Sequence, residues 1–301
     1  MKKVYIAGCG GMLGEAFYKR FNENFEIKCT DKDVNETWLS FLDFRDFKKY
    51  SKDVFDFKPD YLFHLGAITD LEKCEENPDD AYMTNTISVE HAVNMANELE
   101  IPILYISSAG IFDGKKEIYD DWDVPNPLGV YARSKYLGER IVLEKANQGL
   151  VCRAGWMIGG GQKKDKKYIQ KIMQQMKDGS EELFVVKDKG GIPTYTHDFA
   201  KNAELLINEG QLGLYNMACQ GEITDNRLEV TRELIKILKL EDRVKITPVD
   251  SDHFRKEYFA KRPPAERLNN LKLRLKGLDR MRNWKVALKE YIENYYEEYL
   301  E

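Results

Sequence analysis

A phenol and an ammonium group stand four residues apart in the segment Tyr131-Ala132-Arg133-Ser134-Lys135. Residues with this spacing share one face of a helix, so both side chains would point to the same place. A free phenol has a pKa near 10, and a neighbouring ammonium stabilises the phenolate and lowers that pKa. The pair therefore predicts proton transfer, with Lys135 lowering the pKa of Tyr131. A surface tyrosine and lysine are the alternative interpretation of so short a pattern.

A hydroxyl group completes this candidate site. Ser107 and Ser108 directly follow an apolar run at residues 103–106, which is typical of a buried strand. A serine at the end of a strand next to the Tyr131 helix would hold a carbonyl group for protonation. The sequence therefore predicts a Ser, Tyr and Lys constellation for carbonyl chemistry.

Glycines near the N-terminus form a second candidate site. The segment Gly8-Cys9-Gly10-Gly11-Met12-Leu13-Gly14 follows the apolar residues 4–7. Glycine permits a tight turn and close approach of the backbone to phosphate, and the N–H groups that open the following helix favour a pyrophosphate. An ordinary glycine-rich turn is the alternative. The preceding strand, and an acidic residue about 20 positions later, favour a dinucleotide site.

That acidic residue is Asp31, at the end of the second apolar run. A carboxylate at this position binds the hydroxyls of the adenosine ribose. It would repel a 2′-phosphate, which favours NADH over NADPH, although Lys32 beside it would relieve part of that repulsion. A simple turn residue in Asp31-Lys32-Asp33 is the alternative. With the Tyr131 and Lys135 pair, the pattern predicts NADH or NADPH as the cofactor.

The elements that must position these residues alternate in type. Five predicted strands occupy residues 4–7, 25–30, 61–65, 103–107 and 150–153. Helix-length segments separate them, one of which has an apolar face formed by Val89, Ala92, Val93, Ala96 and Leu99. Alternating strands and helices predict an α/β fold with a doubly wound parallel sheet, the Rossmann type.

The second half is less regular. A Gly- and Lys-rich loop at 159–167 is followed by a predicted helix at 168–177 and predicted strands at 183–186 and 213–218, the last of which is a candidate strand of the main sheet. The lysines of that loop are expected to be solvated, and the C-terminal third is expected to be mostly helical. We predict a dinucleotide-binding domain at 1–155 plus about 192–218. A smaller mixed α/β substrate domain would comprise 156–191 plus about 219–301.

Composition excludes several classes of protein. The 301 residues are 43% hydrophobic and 32% charged, as in a globular protein, and the net charge of −5 argues against a nucleic-acid partner. No apolar run approaches the roughly 20 residues that span a bilayer. Five scattered cysteines without a Cys-x-x-Cys pair predict reduced thiols and a cytoplasmic protein, and four histidines without ligand spacing predict no metal site.

Further motifs give the chain a family resemblance, nearly from end to end. It resembles the dTDP-4-dehydrorhamnose reductase family of the extended short-chain dehydrogenase/reductases. The segments that carry the resemblance, besides those above, are Lys58-Pro59-Asp60, Gly66-Ala67-Ile68-Thr69, Phe112-Asp113-Gly114, Arg153-Ala154-Gly155-Trp156, Gly191-Ile192-Pro193-Thr194, Asp198-Phe199-Ala200, Arg262-Pro263-Pro264 with Leu268, and Trp284 with Ala287-Leu288.

The resemblance implies reduction of a 4-keto-6-deoxy sugar on a nucleoside diphosphate, for surface polysaccharide synthesis, by a homodimer. Tyr131 would protonate the developing alkoxide, Ser108 would orient it, and Lys135 would tune Tyr131 and bind the nicotinamide ribose. A metal at a subunit interface is possible in this family, but no ligand set here establishes one. The implied cofactor-binding residues are Gly8, Gly10, Gly11, Met12, Leu13, Gly14, Asp31, Asp43, Phe44, Gly66, Ala67, Tyr131 and Lys135, and the implied substrate-binding residues are Thr69, Ser108, Ala109, Trp156 and Arg262.

Four alternatives remain open on the sequence. Core packing is the alternative for Trp156, and a surface salt bridge is the alternative for Arg262. The family usually has Ser-Thr-Asp-Tyr where this chain has Ser107-Ser108-Ala109-Gly110, which leaves a sugar-nucleotide epimerase as a rival. A dehydratase of this superfamily is expected to carry Asp-Glu after the catalytic hydroxyl. This chain has Ala109-Gly110 there, which disfavours a dehydratase. A regulatory subunit that binds dinucleotide without catalysis is the other rival.

Overall fold

A parallel sheet of seven strands forms the centre of the computed structural model, which describes residues 1–299. The strands of the chain are β1 Lys3–Ala7, β2 Glu26–Asp31, β3 Leu39–Phe41, β4 Tyr61–His64, β5 Ile103–Ser108, β6 Gly149–Ala154, β7 Trp156–Ile158, β8 Glu182–Val186, β9 Pro193–Tyr195, β10 Gly213–Asn216 and β11 Lys245–Val249. The order in the main sheet is β10-β6-β5-β4-β1-β2-β3, and every neighbouring pair is parallel.

Helices cover both faces of this sheet. They are α1 Met12–Phe21, α2 Phe47–Phe57, α3 Leu71–Glu76, α4 Pro78–Tyr82, α5 Ser88–Glu98, α6 Val130–Lys145, α7 Gly161–Lys164, α8 Tyr168–Lys177, α9 Thr196–Asn208, α10 Arg227–Ile237, α11 Leu271–Leu275 and α12 Trp284–Tyr295. A π-helical turn, Met83–Ile87, joins α4 to α5, and 3₁₀ turns lie at Ala109–Ile111, Ser251–Phe254 and Glu297–Tyr299.

The strand period explains why both faces are covered. In β1, Val4 and Ile6 belong to one hydrophobic cluster, and Tyr5 and Ala7 belong to a second cluster on the other face. Successive side chains point to opposite faces of a strand, so an apolar run such as β1 must be buried on both sides.

The chain reverses its direction of winding between β1 and β4. Ala7 pairs with Thr30 of β2 on one side and with His64 of β4 on the other. The loops that leave β1 and β4 therefore diverge, and in open α/β sheets the crevice between such loops is where ligands bind. This position brings the glycine segment after β1 next to the loop that follows β4.

The fold class and the five N-terminal strands are confirmed, as is the helix at 168–177. The strand after 213 does join the main sheet. Four short strands were missed, namely β3, β7, β9 and β11. The expectation of a mostly helical C-terminal third was wrong, because β11 pairs with β8 and long irregular segments separate α10, α11 and α12. The division into two domains stays a prediction.

No helix among residues 1–299 is both long and apolar enough to cross a membrane.

Candidate active site

The glycine segment folds as a tight turn against the sheet. Gly8 has a φ of +76°, and a side chain there would overlap the backbone of Gly66 in the loop after β4. A side chain at Gly14 would overlap the carbonyl oxygen of Cys9. Both positions therefore require glycine to bring the turn, α1 and the β4 loop together.

Gly11 has a different role because it faces open space. A Cβ atom built on Gly11 meets nothing within 4 Å, and Gly11 makes no side-chain cap for α1. The free N–H groups at the start of α1, from Met12 and Leu13 onward, thus face an opening. The positive end of the helix dipole lies at the same place. Such a cradle fits a pyrophosphate, so the residues present fit a dinucleotide.

Asp31 is the last residue of β2, the position predicted for the carboxylate that binds the ribose. Its carboxylate accepts hydrogen bonds at 2.9 Å from the backbone N–H groups of Gly10 and Asp33. It therefore supports the glycine turn directly and still has oxygen lone pairs for a ribose hydroxyl. A side chain at Gly10 would crowd this carboxylate, with its Cβ 2.9 Å from Cγ of Asp31.

Asp43 and Phe44 follow β3 on the same side of the sheet. Arg45 donates to both carboxylate oxygens of Asp43 and holds the pKa of that carboxyl below its usual value. The Phe44 ring packs where a side chain of Gly66 would be, and its centroid is 4.9 Å from that of His64. Gly66 therefore admits Phe44 on one side and Gly8 on the other, and Ala67 follows it half-buried.

The catalytic candidates converge at the carboxyl end of β5. Ser108 ends the strand, and its Oγ accepts a hydrogen bond from the N–H of Gly110 at 3.1 Å. Tyr131 lies in the first turn of α6 and Lys135 one turn later. The Cβ position that Gly110 lacks is 3.4 Å from Oγ of Ser108 and 3.8 Å from Cε1 of Tyr131. Serine and phenol thus border one small space.

The pKa of Tyr131 moves in the direction opposite to our expectation. Burial raises it to about 12, the hydrogen bond from Ser108 opposes that rise, and the carboxylate of Glu266 adds to it. Burial also lowers the pKa of Lys135 to about 7, although Glu139 counteracts this. The expectation that Lys135 lowers the pKa of Tyr131 was wrong, because burial of the phenol raises that pKa and Ser108, not Lys135, is the group that lowers it.

Asn85, which the sequence analysis missed, ties the two candidate sites together. Its side chain accepts from the N–H of Ile68 at 2.8 Å, donates to the carbonyl of Ile68 at 3.0 Å, and donates to Oγ of Ser134 at 3.0 Å. It thereby fixes the loop after β4 to the helix of Tyr131 and Lys135. Asn85 lies in the π-helical turn, a feature often found at functional sites.

Trp156, Glu266 and Arg227 form a polar cluster next to this space. Nε1 of Trp156 donates to Oε2 of Glu266 at 2.6 Å. The guanidinium of Arg227 lies 4.5 Å from the centroid of the Trp156 ring and 4.6 Å from that of Tyr168. Burial raises the pKa of Glu266 and lowers that of Arg227. Neither Glu266 nor Arg227 was predicted from the sequence.

The model of the RmlD substrate binding domain family matches residues 1–297. The chain belongs to this family. Spore coat polysaccharide biosynthesis protein SpsK of Bacillus subtilis (strain 168) is 25% identical to it over 297 residues, which cover 97% of this chain and 98% of that protein. Methionine adenosyltransferase 2 subunit beta of Xenopus tropicalis is 26% identical over 200 residues, covering 66% of this chain and 60% of that protein.

A solved structure extends the same comparison. The structure of dTDP-4-dehydrorhamnose reductase from Bacillus anthracis str. Ames, in complex with NADP, matches with a TM-score of 0.88 and 26% identity. The match covers 98% of this chain and 100% of that chain. Membership of the RmlD family confirms the resemblance inferred from the sequence motifs.

Three of the substrate residues implied by the family resemblance have other partners in the structure. Both terminal guanidinium nitrogens of Arg262 donate to the carboxylate of Glu72, at 2.7 and 2.8 Å, so Arg262 forms a salt bridge in this structure. Lys167 donates to the Oγ1 and carbonyl oxygen of Thr69. Ala109 is 2% exposed and packs within an apolar cluster.

We had expected the lysines of the 159–167 loop to be solvated, but one of them, Lys164, is not. Lys164 is buried, and its Nζ donates to the carbonyl of Gly10 at 3.1 Å and to Oδ1 of Asn35 at 2.9 Å. It also lies 3.3 Å from Glu36 and 5.3 Å from the ring centroid of Trp38. Lys164 therefore fastens α7 to the glycine turn, a contact that the apolar pattern gave no means to predict.

Proposed function

We propose that this protein reduces the 4-keto group of a nucleoside-diphosphate 4-keto-6-deoxy sugar with NADH or NADPH, as an oxidoreductase of surface polysaccharide synthesis. The observation that carries the proposal is the convergence of Ser108 and Tyr131 on one space at the end of β5. The open cradle at Gly11 lies on the same edge of the sheet, and the solved relative with NADP supports the assignment.

The proposed mechanism divides the reaction between cofactor and protein. The reduced nicotinamide, when bound, supplies the hydride. Ser108 holds the keto oxygen, and Tyr131 donates its phenolic proton to that oxygen as negative charge develops on it. Since burial raises the pKa of Tyr131 to about 12, the phenol is protonated at neutral pH and is ready to act as the acid. The ammonium form of Lys135 then stabilises the phenolate.

Arg227 is the residue we assign to the diphosphate of the substrate, in place of Arg262. It stacks on Trp156 and Tyr168, and within the described residues it forms no salt bridge with a carboxylate. A guanidinium presents five N–H donors that match phosphate oxygens. Arg262, by contrast, already satisfies Glu72.

Finer features of the proposal rest on individual residues. Asp31 supports a preference for NADH, since a carboxylate repels a 2′-phosphate. We also propose a cytoplasmic homodimer; the cytoplasmic location is supported by five cysteines that are all free and buried. The homodimer rests on the family resemblance alone.

The test measures absorbance of the reduced nicotinamide. NADH or NADPH is mixed with enzymatically generated dTDP-4-keto-6-deoxy sugar, with and without a 3,5-epimerase. Oxidation only with the epimerase indicates the rhamnose precursor, and oxidation without it indicates another deoxysugar. Tight cofactor binding without oxidation of any substrate would overturn the proposal in favour of an epimerase or a regulatory subunit. Methionine adenosyltransferase copurifying with the inactive chain would identify the latter.

A further inference from the structure

A carboxylate occupies part of the space that Gly110 leaves open. The Cβ position that Gly110 lacks is 3.0 Å from Oε1 of Glu266 and 3.4 Å from Oγ of Ser108. Glu266 therefore faces the same space as the two residues assigned to the keto oxygen. Any larger residue at position 110 would displace this carboxylate, so Gly110 and Glu266 are matched to each other.

The two oxygens of Glu266 are in different situations. Oε2 is fixed by the indole N–H of Trp156 at 2.6 Å. Within residues 1–299, Oε1 accepts no hydrogen bond, although the side chain is half-buried. A fixed acceptor in a partly desolvated pocket costs free energy when it has no hydrogen-bond donor. A bound ligand with a donor at that point would satisfy it.

Burial and neighbouring charges act in opposite directions on the ionisation of Glu266. Arg227, Arg262 and Lys189 all favour the charged form, and burial opposes them, raising the pKa of Glu266 above its usual value. An ionised carboxylate has no proton to donate. A ligand group that pairs with Oε1 of the ionised carboxylate is therefore a hydrogen-bond donor.

We infer that Glu266 is a specificity-determining residue, whose Oε1 accepts a hydrogen bond from the sugar hydroxyl on the carbon next to the keto group. This inference rests on the proposed function. If Ser108 and Tyr131 hold the keto oxygen, the hydroxyl on the adjacent ring carbon is the nearest hydrogen-bond donor of the sugar, and Glu266 lies beside both residues. A site built to bind a hydroxyl rejects an analogue that lacks it, because the buried acceptor is then left unpaired.

The test compares two substrates in several variants. The parent 4-keto-6-deoxy sugar nucleotide and its 3-deoxy analogue are assayed for kcat/KM with the wild-type protein, Glu266→Ala and Glu266→Gln. The wild type should prefer the parent by about 100-fold or more, and Glu266→Ala, which removes both acceptor oxygens, should reduce that preference to below about 10-fold. Glu266→Gln keeps one acceptor oxygen and should give a preference between these two values. The change should come from slower turnover of the parent, since the analogue never makes the bond.

Two controls separate specificity from a structural role. Trp156→Phe removes the indole donor, and it should slow both substrates while leaving a larger preference than Glu266→Ala does. Glu257→Ala, at an exposed glutamate in the same segment, should leave kcat/KM unchanged for both substrates. If Glu266→Ala slows both substrates equally, Glu266 only positions Trp156 and the inference is wrong.

The outcomes also distinguish this inference from the proposed function. A wild-type protein that turns over neither substrate contradicts the proposed function and removes the basis of this inference with it. A wild type that reduces both substrates with equal efficiency supports the proposed function and overturns only the role of Glu266. Should Glu266→Ala fail to fold, as judged by its thermal unfolding, the near-isosteric Glu266→Gln decides the result.

Discussion

The ammonium nitrogen of Lys135 lies 4.2 Å from the centroid of the Tyr105 ring. The two residues are also joined through the Tyr105 hydroxyl, which donates to the backbone carbonyl of Lys135 at 3.1 Å. The aromatic face stabilises a charge that burial disfavours, yet burial dominates and lowers the pKa of Lys135 to about 7. Lys135 is therefore divided between its charged and neutral forms near neutral pH.

This pKa predicts a pH-dependent stability. Between about pH 7 and the ordinary value of 10.5, the unfolded chain binds a proton at Lys135 that the folded chain has largely lost. The free energy of unfolding therefore gains up to about 1.4 kcal/mol per pH unit from this residue as pH rises, and loses it as pH falls toward 7. Urea unfolding without cofactor at pH 7, 8 and 9 should show this gain in the wild type relative to Lys135→Met.

The matched control for Lys135 is Lys177→Met, at an exposed lysine in the last turn of α8. Its stability should stay parallel to that of the wild type across the same pH range. If Lys135→Met also stays parallel to the wild type, the ammonium of Lys135 has an ordinary pKa in the folded protein.

Tyr131 should be needed for turnover and not for cofactor binding. Tyr131→Phe removes only the phenolic oxygen, so binding of the reduced cofactor, measured by fluorescence, should be largely intact. The rate of nicotinamide oxidation should fall by about 100-fold or more, the usual scale for a lost general acid. Tyr136→Phe on the same helix is the control, and it should be close to wild type. Unchanged turnover of Tyr131→Phe would remove Tyr131 from the mechanism.

The sequence predicted the scaffold better than the surroundings of the site. Repeating signals such as the apolar run of β1 and the face of Val89 and Ala92 depend only on local periodicity, and they were located correctly. Glu266 and Arg227 carry no such signal, because tertiary folding alone brings a distant irregular segment and the start of α10 to Trp156. The pKa of Tyr131 could not be obtained from spacing either, since it depends on burial.

Two glycines of the turn should respond differently to alanine. Gly14→Ala places a methyl group on the carbonyl oxygen of Cys9, so we expect a loss of about 1–3 kcal/mol of stability or more. Gly11→Ala meets no atom within 4 Å and should cost less than about 1 kcal/mol. Its methyl group would, however, stand where a pyrophosphate approaches, and we expect at least about tenfold weaker cofactor binding.

Thermal unfolding and calorimetric titration with NADH and NADPH measure the two effects separately. A Gly11→Ala protein that binds both cofactors like the wild type would show that the dinucleotide does not pass over Gly11. A Gly14→Ala protein of unchanged stability would contradict the close contact between α1 and the turn.

Asp31 should set the cofactor preference. Asp31→Asn keeps the shape and an oxygen acceptor for Gly10 but removes the charge that repels a 2′-phosphate. The ratio of kcat/KM with NADPH to kcat/KM with NADH should rise at least about tenfold, which corresponds to about 1.4 kcal/mol. Asp33→Asn, at the exposed neighbour, should leave the ratio unchanged. Equal changes with both cofactors in Asp31→Asn would assign Asp31 to the turn alone.

Substitutions of Arg227 and Arg262 should differ in their effect on the KM for the nucleotide sugar. Arg227→Lys retains the charge but loses the planar fork that stacks on Trp156, so the KM for the nucleotide sugar should rise by about tenfold or more. The KM for the reduced cofactor should not change, because Arg227 lies beside Trp156 rather than at the glycine turn. Arg262→Lys should instead weaken the pair with Glu72 and lower the thermal stability with a smaller effect on KM. A larger KM effect at Arg262 than at Arg227 would restore Arg262 as the diphosphate ligand and require Glu72 to release it on binding.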